Sequence, residues 1–399
     1  MGLNNNRILT INSGSSSIRF SLYEMGQSES LILSGIIERI GPKPTILKIK
    51  DAQGEINLED NLYLRDHDAA FKALFEWLRK NSPVEKIDAV GHRIVHGGIE
   101  YSRPQDITPE LMEKLNELVP LAPDHLPNEI TGIMTINKTY PGLTQVACFD
   151  TAFHRQLPLR AKMFALPRSL FREGIMRYGF HGLSYEYIMQ ELMTVAGEKV
   201  ARGRVVIAHL GSGASIVAVK DGRSMDTSMG FTPTGGLMMG TRCGDLDPGI
   251  LIYLLNKKGL SPRSLNQMLN MHSGLLGVSG RGSDMKFLLD NERKSADIAE
   301  AIYLFCYQAK KFLGALCTAL GGVDNLIFTG GIGENSPVIR KRICDDMTFL
   351  NIHLDPIKNE SNKAIISSDG VPTTIRVMRT NEELMIARHT NNIVVNKNR

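Results

Sequence analysis

The sequence predicts an α/β protein of two domains, and three observations support that prediction. At 399 residues the chain is too long for one hydrophobic core. Short β-branched and apolar segments typical of strands alternate with amphipathic segments typical of helices. A hairpin with a glycine- and serine-rich tip is predicted twice, at NSGSSS from Asn12 and at LGSGAS from Leu210. Each half of the chain therefore begins with the same structural unit.

The first hairpin shows what such a tip offers a ligand. Residues 8–11 form a short apolar strand, and the alternation of Ile18, Phe20 and Leu22 with polar residues predicts the returning strand. Gly14 has no side chain to keep a ligand from the backbone, and the surrounding serines offer hydroxyl and N–H groups to phosphate oxygens. The stretch is not a Walker A motif, which would lead into a helix. Taken alone, its composition favours an ordinary turn.

The remaining elements follow in an order that repeats. In the first half we predict strands over residues 31–40, 45–49, 87–94 and 144–149, and helices over residues 66–79, 108–118 and 128–137. In the second half we predict strands over residues 205–209, 216–220, 223–227 and 325–329, and helices over residues 249–256, 262–271, 283–289, 297–320 and from 337. Two segments rich in proline or glycine are predicted to be irregular, LAPDHLP at 121–127 and GGIGENS at 330–336.

Two α/β domains that each open with a phosphate hairpin are typical of the ribonuclease-H-like architecture of actin, Hsp70 chaperones and sugar kinases. We expect the first domain to span residues 1–150 and to be completed by a C-terminal helix from about residue 383 to residue 399. We expect the second to span residues 151–382. Ligands usually bind in clefts between domains, so the active site is predicted to lie in an interdomain cleft.

The composition narrows the class of protein. Hydrophobic residues at 42% and charged residues at 22% are ordinary for a soluble globular chain. With 46 basic and 42 acidic residues the net charge is only +4, which argues against a nucleic-acid partner. The five cysteines include no C-x-x-C pair, so neither zinc nor a disulfide framework is expected. There is no secretion signal and no apolar run of the ~20 residues that span a bilayer, so we expect a cytoplasmic protein without a membrane partner.

Polar residues are concentrated in a few glycine-rich stretches or at strand ends. Arg93 in GHRIVHGG and Arg242 in MGTRCGDLDPG are suited to anions, because a guanidinium binds a carboxylate or phosphate through paired hydrogen bonds. Asp150 follows an apolar strand, where carboxylates of α/β folds face the ligand crevice. His181 in RYGFHGLS is either a ligand-facing or a buried histidine. The two aspartates of GDLDPG either bind a metal or cap the next helix.

Taken together, these stretches carry a family resemblance. The motifs ILTINSGSSS, HRIVHGG, FDTAFH, RYGFHGLS, HLGSGAS, MGTRCGDLDPG, TGGIGENS and TNEELMIAR resemble, in order and spacing, those of the acetate kinase family. The resemblance covers nearly the whole chain. It implies reversible transfer of the γ-phosphoryl group of ATP to a short-chain carboxylate, giving an acyl phosphate and ADP. It also implies a Mg²⁺ ion, with Mn²⁺ as an alternative, and a homodimer.

The resemblance also implies roles for individual residues. Asn12 and Glu382 would hold the metal ion, and Arg93 and Arg242 would bind the carboxylate and the phosphoryl group. His181 would stabilise the transition state, and Asp150 would orient or activate the acid. The expected substrate-binding residues are Arg93, Val95, His125, Phe180 and Pro233. The expected nucleotide-binding residues are Arg19, His209, Leu210, Gly211, Ser212, Gly213, Asp284, Met285, Lys286, Gly331, Ile332, Gly333, Glu334 and Asn335.

The chain also departs from the family pattern. Arg19 stands where Lys is usual, Ser212 where Asn is usual, Tyr185 where His is usual and Cys243 where Ser is usual. Asp124 replaces a leucine of the acyl pocket, and an unpaired carboxylate in an apolar pocket costs several kcal/mol. Either Asp124 turns toward solvent or the substrate is not simple acetate.

Despite the change at Asp124, the family resemblance makes acetate the leading substrate, ahead of propionate and of a more polar acid. A nucleotide-binding protein without phosphoryl transfer is the alternative from another class, and a sugar or glycerol kinase is a third hypothesis. The two arginines favour the carboxylate kinase, because the other two classes need no second anion site.

Overall fold

The computed structural model describes residues 5–41, 44–81 and 86–397. The chain divides into two compact units. The first, here unit 1, consists of Met1–Ala152 and Asn381–Arg399, and the second, unit 2, of Phe153–Thr380. Each unit is built around its own sheet.

The strands are β1 Asn6–Ser13, β2 Ser17–Met25, β3 Glu29–Glu38, β4 Thr45–Asp51, β5 Ile56–Leu62, β6 Ala89–Ile94, β7 Gln105–Asp106, β8 Thr144–Phe149, β9 Val205–Leu210, β10 Ala214–Lys220, β11 Arg223–Thr227, β12 Asn325–Thr329 and β13 Thr374–Val377. The helices are α1 His67–Asn81, α2 Pro109–Leu118, α3 Leu126–Thr139, α4 Leu159–Lys162, α5 Arg168–Arg172, α6 Gly182–Ala196, α7 Glu198–Ala201, α8 Pro248–Lys257, α9 Pro262–Met271, α10 Gly274–Ser279, α11 Met285–Asn291, α12 Ala296–Leu320, α13 Gly330–Asn335, α14 Pro337–Cys344, α15 Pro356–Glu360 and α16 Glu382–Lys397.

The sheet of unit 1 has the order β5-β4-β3-β2-β1-β6-β8-β7. Strands β1 to β5 form an antiparallel meander, while β6 and β8 run parallel to β1. The carboxyl ends of β1, β6 and β8 therefore lie side by side at one edge of the sheet. This edge carries the polar residues that follow each strand.

Alternation along β1 assigns its side chains to two cores. Leu9 and Ile11 pack in the cluster that includes α1, whereas Ile8 packs in the cluster that includes α16. Helix α16 approaches the sheet closely at Gly91, where a Cβ atom would lie 2.2 Å from the Thr390 hydroxyl. The C-terminal helix is thus part of the core of unit 1.

The sheet of unit 2 has the order β11-β10-β9-β12-β13. Strands β9 to β11 are antiparallel, and β12 and β13 run parallel to β9. Helix α6 packs on one face through Ile188 and Leu192. Every residue of β9 and β12 is buried. The whole sheet of unit 2 and the strands β3-β2-β1-β6-β8 of unit 1 thus share one order, three antiparallel strands followed by two parallel ones, which confirms the ribonuclease-H-like fold class.

Two predictions about local structure are wrong, and helix α6 was missed. Residues 330–336 are not a loop, because α13 begins at Gly330, where the Glu334 side chain accepts from the Gly330 N–H at 2.9 Å. The irregular stretch at 121–127 ends early, since α3 begins at Leu126 and tolerates Pro127 in its first turn. Helix α6 was not predicted, because its start was interpreted only as a polar site stretch.

Among the helices of the described residues, none combines the length and the apolar character needed to cross a lipid bilayer. The five cysteines are all free thiols.

Candidate functional site

The first group of candidate functional residues lies at the carboxyl ends of β1, β6 and β8. Arg93 donates from Nε to Asp150 Oδ2 at 3.1 Å, and its Nη2 makes a second, shorter bond to the same oxygen. Its Nη1 donates to Asn12 Oδ1 at 3.3 Å. The Asn12 amide donates to Glu382 Oε2 at 3.4 Å. Unit 1 therefore brings together four of the residues singled out from the sequence.

A fifth member of this group was not predicted. Glu129, in the first turn of α3, is 2% exposed and accepts from the Val95 N–H at 3.1 Å. Its other carboxyl oxygen is buried and has no hydrogen-bond partner within the described chain, and the same holds for Asp150 Oδ1. We call Asn12, Arg93, Glu129, Asp150 and Glu382 the carboxylate cluster.

Burial and mutual charge control protonation in the carboxylate cluster. Burial raises the pKa of Glu129 to about 8, against the opposing effects of the Arg93 charge and the Val95 hydrogen bond. Burial likewise raises the pKa of Glu382 to about 7, although Arg93 opposes the shift. Burial by itself lowers the pKa of Arg93, but Asp150 and Glu382 outweigh it and raise the net pKa. The cluster is thus a fixed guanidinium surrounded by carboxyl groups, two of which prefer to hold a proton near neutral pH.

The other unit 1 residues singled out from the sequence flank this cluster. Val95 is 2% exposed and His125 is the N-cap residue of α3. Asp124 is half-buried, so its side chain is neither fully exposed to solvent nor fully enclosed in an apolar pocket. Arg19 is exposed and lies opposite Asn12 in the β1–β2 pairing, so it belongs to unit 1 and not to the sheet of the other nucleotide residues.

The second group of candidate functional residues lies on β9, β10 and the start of α6. The His181 ring stacks on His209, with centroids 4.4 Å apart and an interplanar angle of 21°. His181 Nδ1 lies 2.8 Å from Ser215 Oγ, which also hydrogen-bonds to the Tyr185 hydroxyl. We call His181, Tyr185, His209 and Ser215 the imidazole cluster. Tyr185 was noted only as a departure from the family, and Ser215 was missed.

Arg242 lies beside the imidazole cluster. A Cβ atom on Gly213 would lie 3.2 Å from His181 Nε2 and 3.6 Å from Arg242 Nη1, so both side chains border the same glycine. Arg242 Nη1 donates to the Pro233 carbonyl at 3.3 Å. Phe180 is 1% exposed, and its carbonyl accepts from His154 Nε2 at 3.0 Å. Unit 2 therefore holds Arg242, His181, Phe180 and Pro233 in one neighbourhood.

Three predicted nucleotide segments converge around the turn from β9 to β10. The Gly211 N–H donates to the Gly213 carbonyl at 3.0 Å, which closes the turn. A Cβ on Gly211 would lie 3.9 Å from the Gly331 nitrogen, so the start of α13 adjoins the turn. Gly240 links Ser212 to the segment before α11, since its Cβ would lie 3.2 Å from the Ser212 carbonyl and 3.4 Å from Ser283. Glycines at these positions allow the backbones to approach one another.

Several side chains in these segments have structural roles. Asp284 caps α11 by accepting from the Phe287 N–H at 2.7 Å, and Met285 is 5% exposed in the core. Lys286 pairs with Asp290 at 3.1 Å on the surface. Asn335 donates to the Gly331 carbonyl at 2.9 Å. Any contact of these residues with a nucleotide would therefore depend more on backbone than on their side chains.

The two aspartates of GDLDPG are also used within the protein. Asp247 caps α8 by accepting from the Gly249 N–H at 2.7 Å, which confirms the capping alternative for this residue. Asp245 accepts from the Gly236 N–H at 2.7 Å.

The carboxylate cluster has the chemistry expected for a magnesium site. Within the described residues, no three His, Cys, Asp or Glu side chains are grouped so that they could hold a metal ion by themselves. Mg²⁺ does not need such a group, because it usually binds one or two carboxylates together with phosphate oxygens and water. Asn12 and Glu382 supply oxygen ligands of the preferred kind, and the buried Asp150 Oδ1 remains available nearby. The residues present fit the ion.

Each unit thus places an arginine beside a ribonuclease-H-like sheet, and a guanidinium is suited to binding carboxylates and phosphates. Comparison with known proteins identifies the family. The family model described as "Acetokinase family" matches residues 7–388. The chain is 46% identical over 390 residues to an acetate kinase of Rhodopseudomonas palustris strain TIE-1, with 96% of this chain and 97% of that protein covered. This protein belongs to the acetokinase family.

Two crystal structures are also similar to this chain over nearly its whole length. The chain is similar to Porphyromonas gingivalis acetate kinase with a TM-score of 0.86 and 38% identity, covering 98% of this chain and all of the other. It is similar to a propionate kinase from Francisella tularensis with a TM-score of 0.91 and 37% identity, covering 97% of this chain and 100% of the other.

Proposed function

We propose that this protein is an acetate kinase, which reversibly transfers the γ-phosphoryl group of ATP to acetate and forms acetyl phosphate and ADP. The observation that carries the proposal is the fixed Arg93 guanidinium, which Asp150 holds through two N–H groups at the sheet edge. A site of this kind binds a small anion, because a guanidinium is planar and always charged. The uncharged acceptor of a sugar kinase would not need a guanidinium.

The proposed reaction does not need a strong general base. A carboxylate is already a nucleophile, so catalysis reduces to aligning it with the phosphorus and neutralising charge on the transferring oxygens. We assign the carboxylate to Arg93 and the phosphoryl group to Arg242 and His181. Asp150 acts by orienting Arg93, since one of its oxygens takes both N–H groups. This role differs from activation of the acid, which a carboxylate substrate does not need.

The metal ion and nucleotide are assigned by the same reasoning. Asn12 and Glu382 would hold Mg²⁺ or Mn²⁺, which when bound neutralises charge on the nucleotide phosphates. Deprotonation favours metal binding, so the raised pKa of Glu382 predicts weaker binding below neutral pH. The turn after β9 and the start of α13 are the proposed phosphate-binding backbone. Arg19, from unit 1, is the proposed additional cation for the nucleotide.

The substrate preference is the open part of this proposal. Val95, His125, Phe180 and Pro233 are the proposed neighbours of the acyl group. The Francisella tularensis relative is a propionate kinase. Propionate and other short carboxylates are therefore the first alternatives, and a nucleotide-binding protein without transfer is the second.

A hydroxylamine-trapping assay tests the proposal. Acyl phosphate formed from ATP-Mg²⁺ is captured as hydroxamate with formate, acetate, propionate, butyrate and hydroxy acids, and other phosphoryl donors are compared with ATP. We expect acetate to give the highest kcat/KM. If no hydroxamate forms with any of the acids while ADP and ATP still bind, the kinase assignment is contradicted.

We also propose a cytoplasmic homodimer. Helix α8 has no buried residue, and its Ile252 and Tyr253 are 60% and 54% exposed, which is unusual for apolar side chains in a helix. A second copy of the chain would cover them. Analytical ultracentrifugation of the wild type and of Ile252→Glu measures the oligomeric state. We expect the variant to shift toward monomer. Two identical monomeric profiles would contradict the proposal.

A further inference from the structure

The inference concerns the tip of the first hairpin, residues 13–17, and the two side chains that hold its backbone. The Gly14 N–H donates to the Ser17 carbonyl at 2.8 Å and closes the turn. The Gly14 carbonyl accepts from His67 Nε2 at 2.9 Å and from Asn128 Nδ2 at 3.4 Å. Side chains from two different helices therefore converge on one carbonyl oxygen of the tip.

The two donors stand on a rigid support. His67 is the first residue of α1 and is 8% exposed, and Asn128 lies in the first turn of α3. These helices pack closely where Phe71 of α1 meets Gly132 of α3, since a Cβ atom on Gly132 would lie 2.6 Å from the Phe71 ring. The packed pair of helices fixes the positions from which the two side chains reach the hairpin.

The hydrogen bonds to Gly14 determine which way the next N–H points. A peptide group is planar, and in its trans form the C=O and N–H point in opposite directions. The Gly14 carbonyl faces the buried His67 ring, so the N–H of the same peptide, which belongs to Ser15, points away from it. Ser15 is exposed. Because a carbonyl oxygen only accepts, the hydrogen lies on His67 Nε2 whether the ring is neutral or charged.

This orientation needs support because glycine does not enforce it. Gly14 has no side chain to restrict its backbone rotation, so the Gly14–Ser15 peptide is able to reverse its direction. A reversed peptide would turn a carbonyl oxygen toward an approaching anion, and the buried His67 N–H would lose its acceptor. The two side-chain donors therefore select the direction in which the Ser15 N–H faces outward.

We propose that His67 and Asn128 are positioning residues that hold the Gly14–Ser15 peptide so that the Ser15 N–H donates to a terminal phosphate of ATP. Backbone N–H groups of turns are suited to anions. The terminal phosphates are the expected partners because Asn12, a proposed metal ligand, is only two residues before Gly14. The inference rests on the proposed function, which supplies the nucleotide, and the effect of both side chains passes through the peptide.

Nucleotide binding provides the first test. Titration calorimetry with Mg²⁺ gives the Kd of ATP and of AMP for the wild type, His67→Ala and Asn128→Ala. We expect each variant to bind ATP about 10-fold more weakly, as when a hydrogen bond to a charged group is lost, and AMP within about 2-fold of the wild type. His67→Gln keeps an amide donor and should recover most of the ATP affinity. Asn116→Ala, at an exposed position of α2, is the matched control and should be unchanged.

Two results of this titration would overturn the inference. One is wild-type affinity for ATP in both alanine variants. The other is an equal loss of ATP and AMP binding, which indicates general damage to the fold and no effect on the terminal phosphates.

The Ser15 amide provides the second test. In protein labelled with ¹⁵N-serine, the Ser15 signal is the one lost in Ser15→Ala. We expect it to move downfield when ATP and Mg²⁺ are added to the wild type, and to move less in His67→Ala. A Ser15 signal that stays in place while other serine signals respond to ATP would overturn the inference. Because this measurement follows binding and not turnover, a Ser15 response without hydroxamate would contradict the kinase assignment alone.

Discussion

The carboxylate cluster of unit 1 lies at the ends of β1, β6 and β8, and the imidazole cluster of unit 2 lies on β9, β10 and the start of α6. Their chemistry is opposite. In the carboxylate cluster a buried guanidinium faces three acidic groups, and charges compensate one another. In the imidazole cluster histidines are held by neutral hydroxyls, and Arg242 is held by a carbonyl. The comparison teaches that Arg93 is held by a carboxylate, whereas Arg242 Nη1 is held by a neutral carbonyl.

Arg93→Ala should give the largest effect, because it removes one member of a buried ion pair. Asp150 is fully buried and would lose the guanidinium that pairs with it. Loss of one partner of such a pair typically costs about 3–5 kcal/mol, so we expect lower stability as well as lost activity. Thermal and urea unfolding measure the first, and the hydroxamate assay measures the second.

The double variant Arg93→Ala/Asp150→Ala is the control for this expectation. It removes both charges, so part of the lost stability should return while activity does not. A single variant as stable as the wild type would contradict the assignment of a folding role to this arginine.

Arg242→Ala tests the other side of the comparison. Arg242 Nη1 donates to the Pro233 carbonyl at 3.3 Å and lies 3.7 Å from the Met239 sulfur. We expect kcat to fall about 100- to 1,000-fold, as when a donor to a developing charge is lost. Arg223→Ala, an exposed arginine of the same unit, is the control. A near-normal rate would remove Arg242 from the mechanism.

The sequence was informative where function depends on residues adjacent in the chain. Both hairpins, the polar ends of β6 and β8, and the strand that precedes Asp150 follow from local pattern, and the structure has each of them. The motifs also selected Asn12 and Glu382, which meet although they are far apart in sequence, because the family resemblance carries long-range information that periodicity lacks.

What sequence reasoning missed depends on contacts between distant segments. Glu129 is one acidic residue on an amphipathic helix, and nothing local shows that its partner is Val95, 34 positions away. Ser215 likewise looks like one more small residue in a buried strand until α6 brings Tyr185 against it. Helix α13 was missed because its glycines suggested a loop, whereas the Glu334 side chain stabilises its first turn.

The acidic members of the carboxylate cluster make a prediction about pH. The pKa of Glu129 is about 8 in the folded protein and near 4.5 in the unfolded chain, so the folded state binds the proton more tightly. Stability from this group is therefore fully present below pH 4.5 and is lost as pH rises through 8. Glu129→Gln, which cannot ionise, should match the wild type near pH 5 and exceed it at pH 8.5, by on the order of 4 kcal/mol at most.

Urea unfolding at several pH values measures this difference. Glu113→Gln, an exposed glutamate of α2, is the matched control and should follow the wild type at every pH. Parallel curves for wild type and Glu129→Gln would show that Glu129 is ionised in the folded protein, and the carboxylate cluster would then carry more negative charge than we infer.

Asp124→Leu should give the smallest effect and bears on substrate choice. Asp124 is half-buried next to the N-cap residue of α3, so it is near the proposed acyl neighbours without being enclosed. If it borders the acyl group, a leucine would add apolar contact worth about 0.8 kcal/mol per methylene, and kcat/KM for acetate and propionate should rise about 4-fold. Asp124→Asn, which removes the charge and keeps the size, separates charge from contact. A hydroxylated acid gains nothing from leucine. A rise in kcat/KM confined to aliphatic acids would therefore place this side chain at the acyl group. Unchanged kinetics for every acid would place it elsewhere.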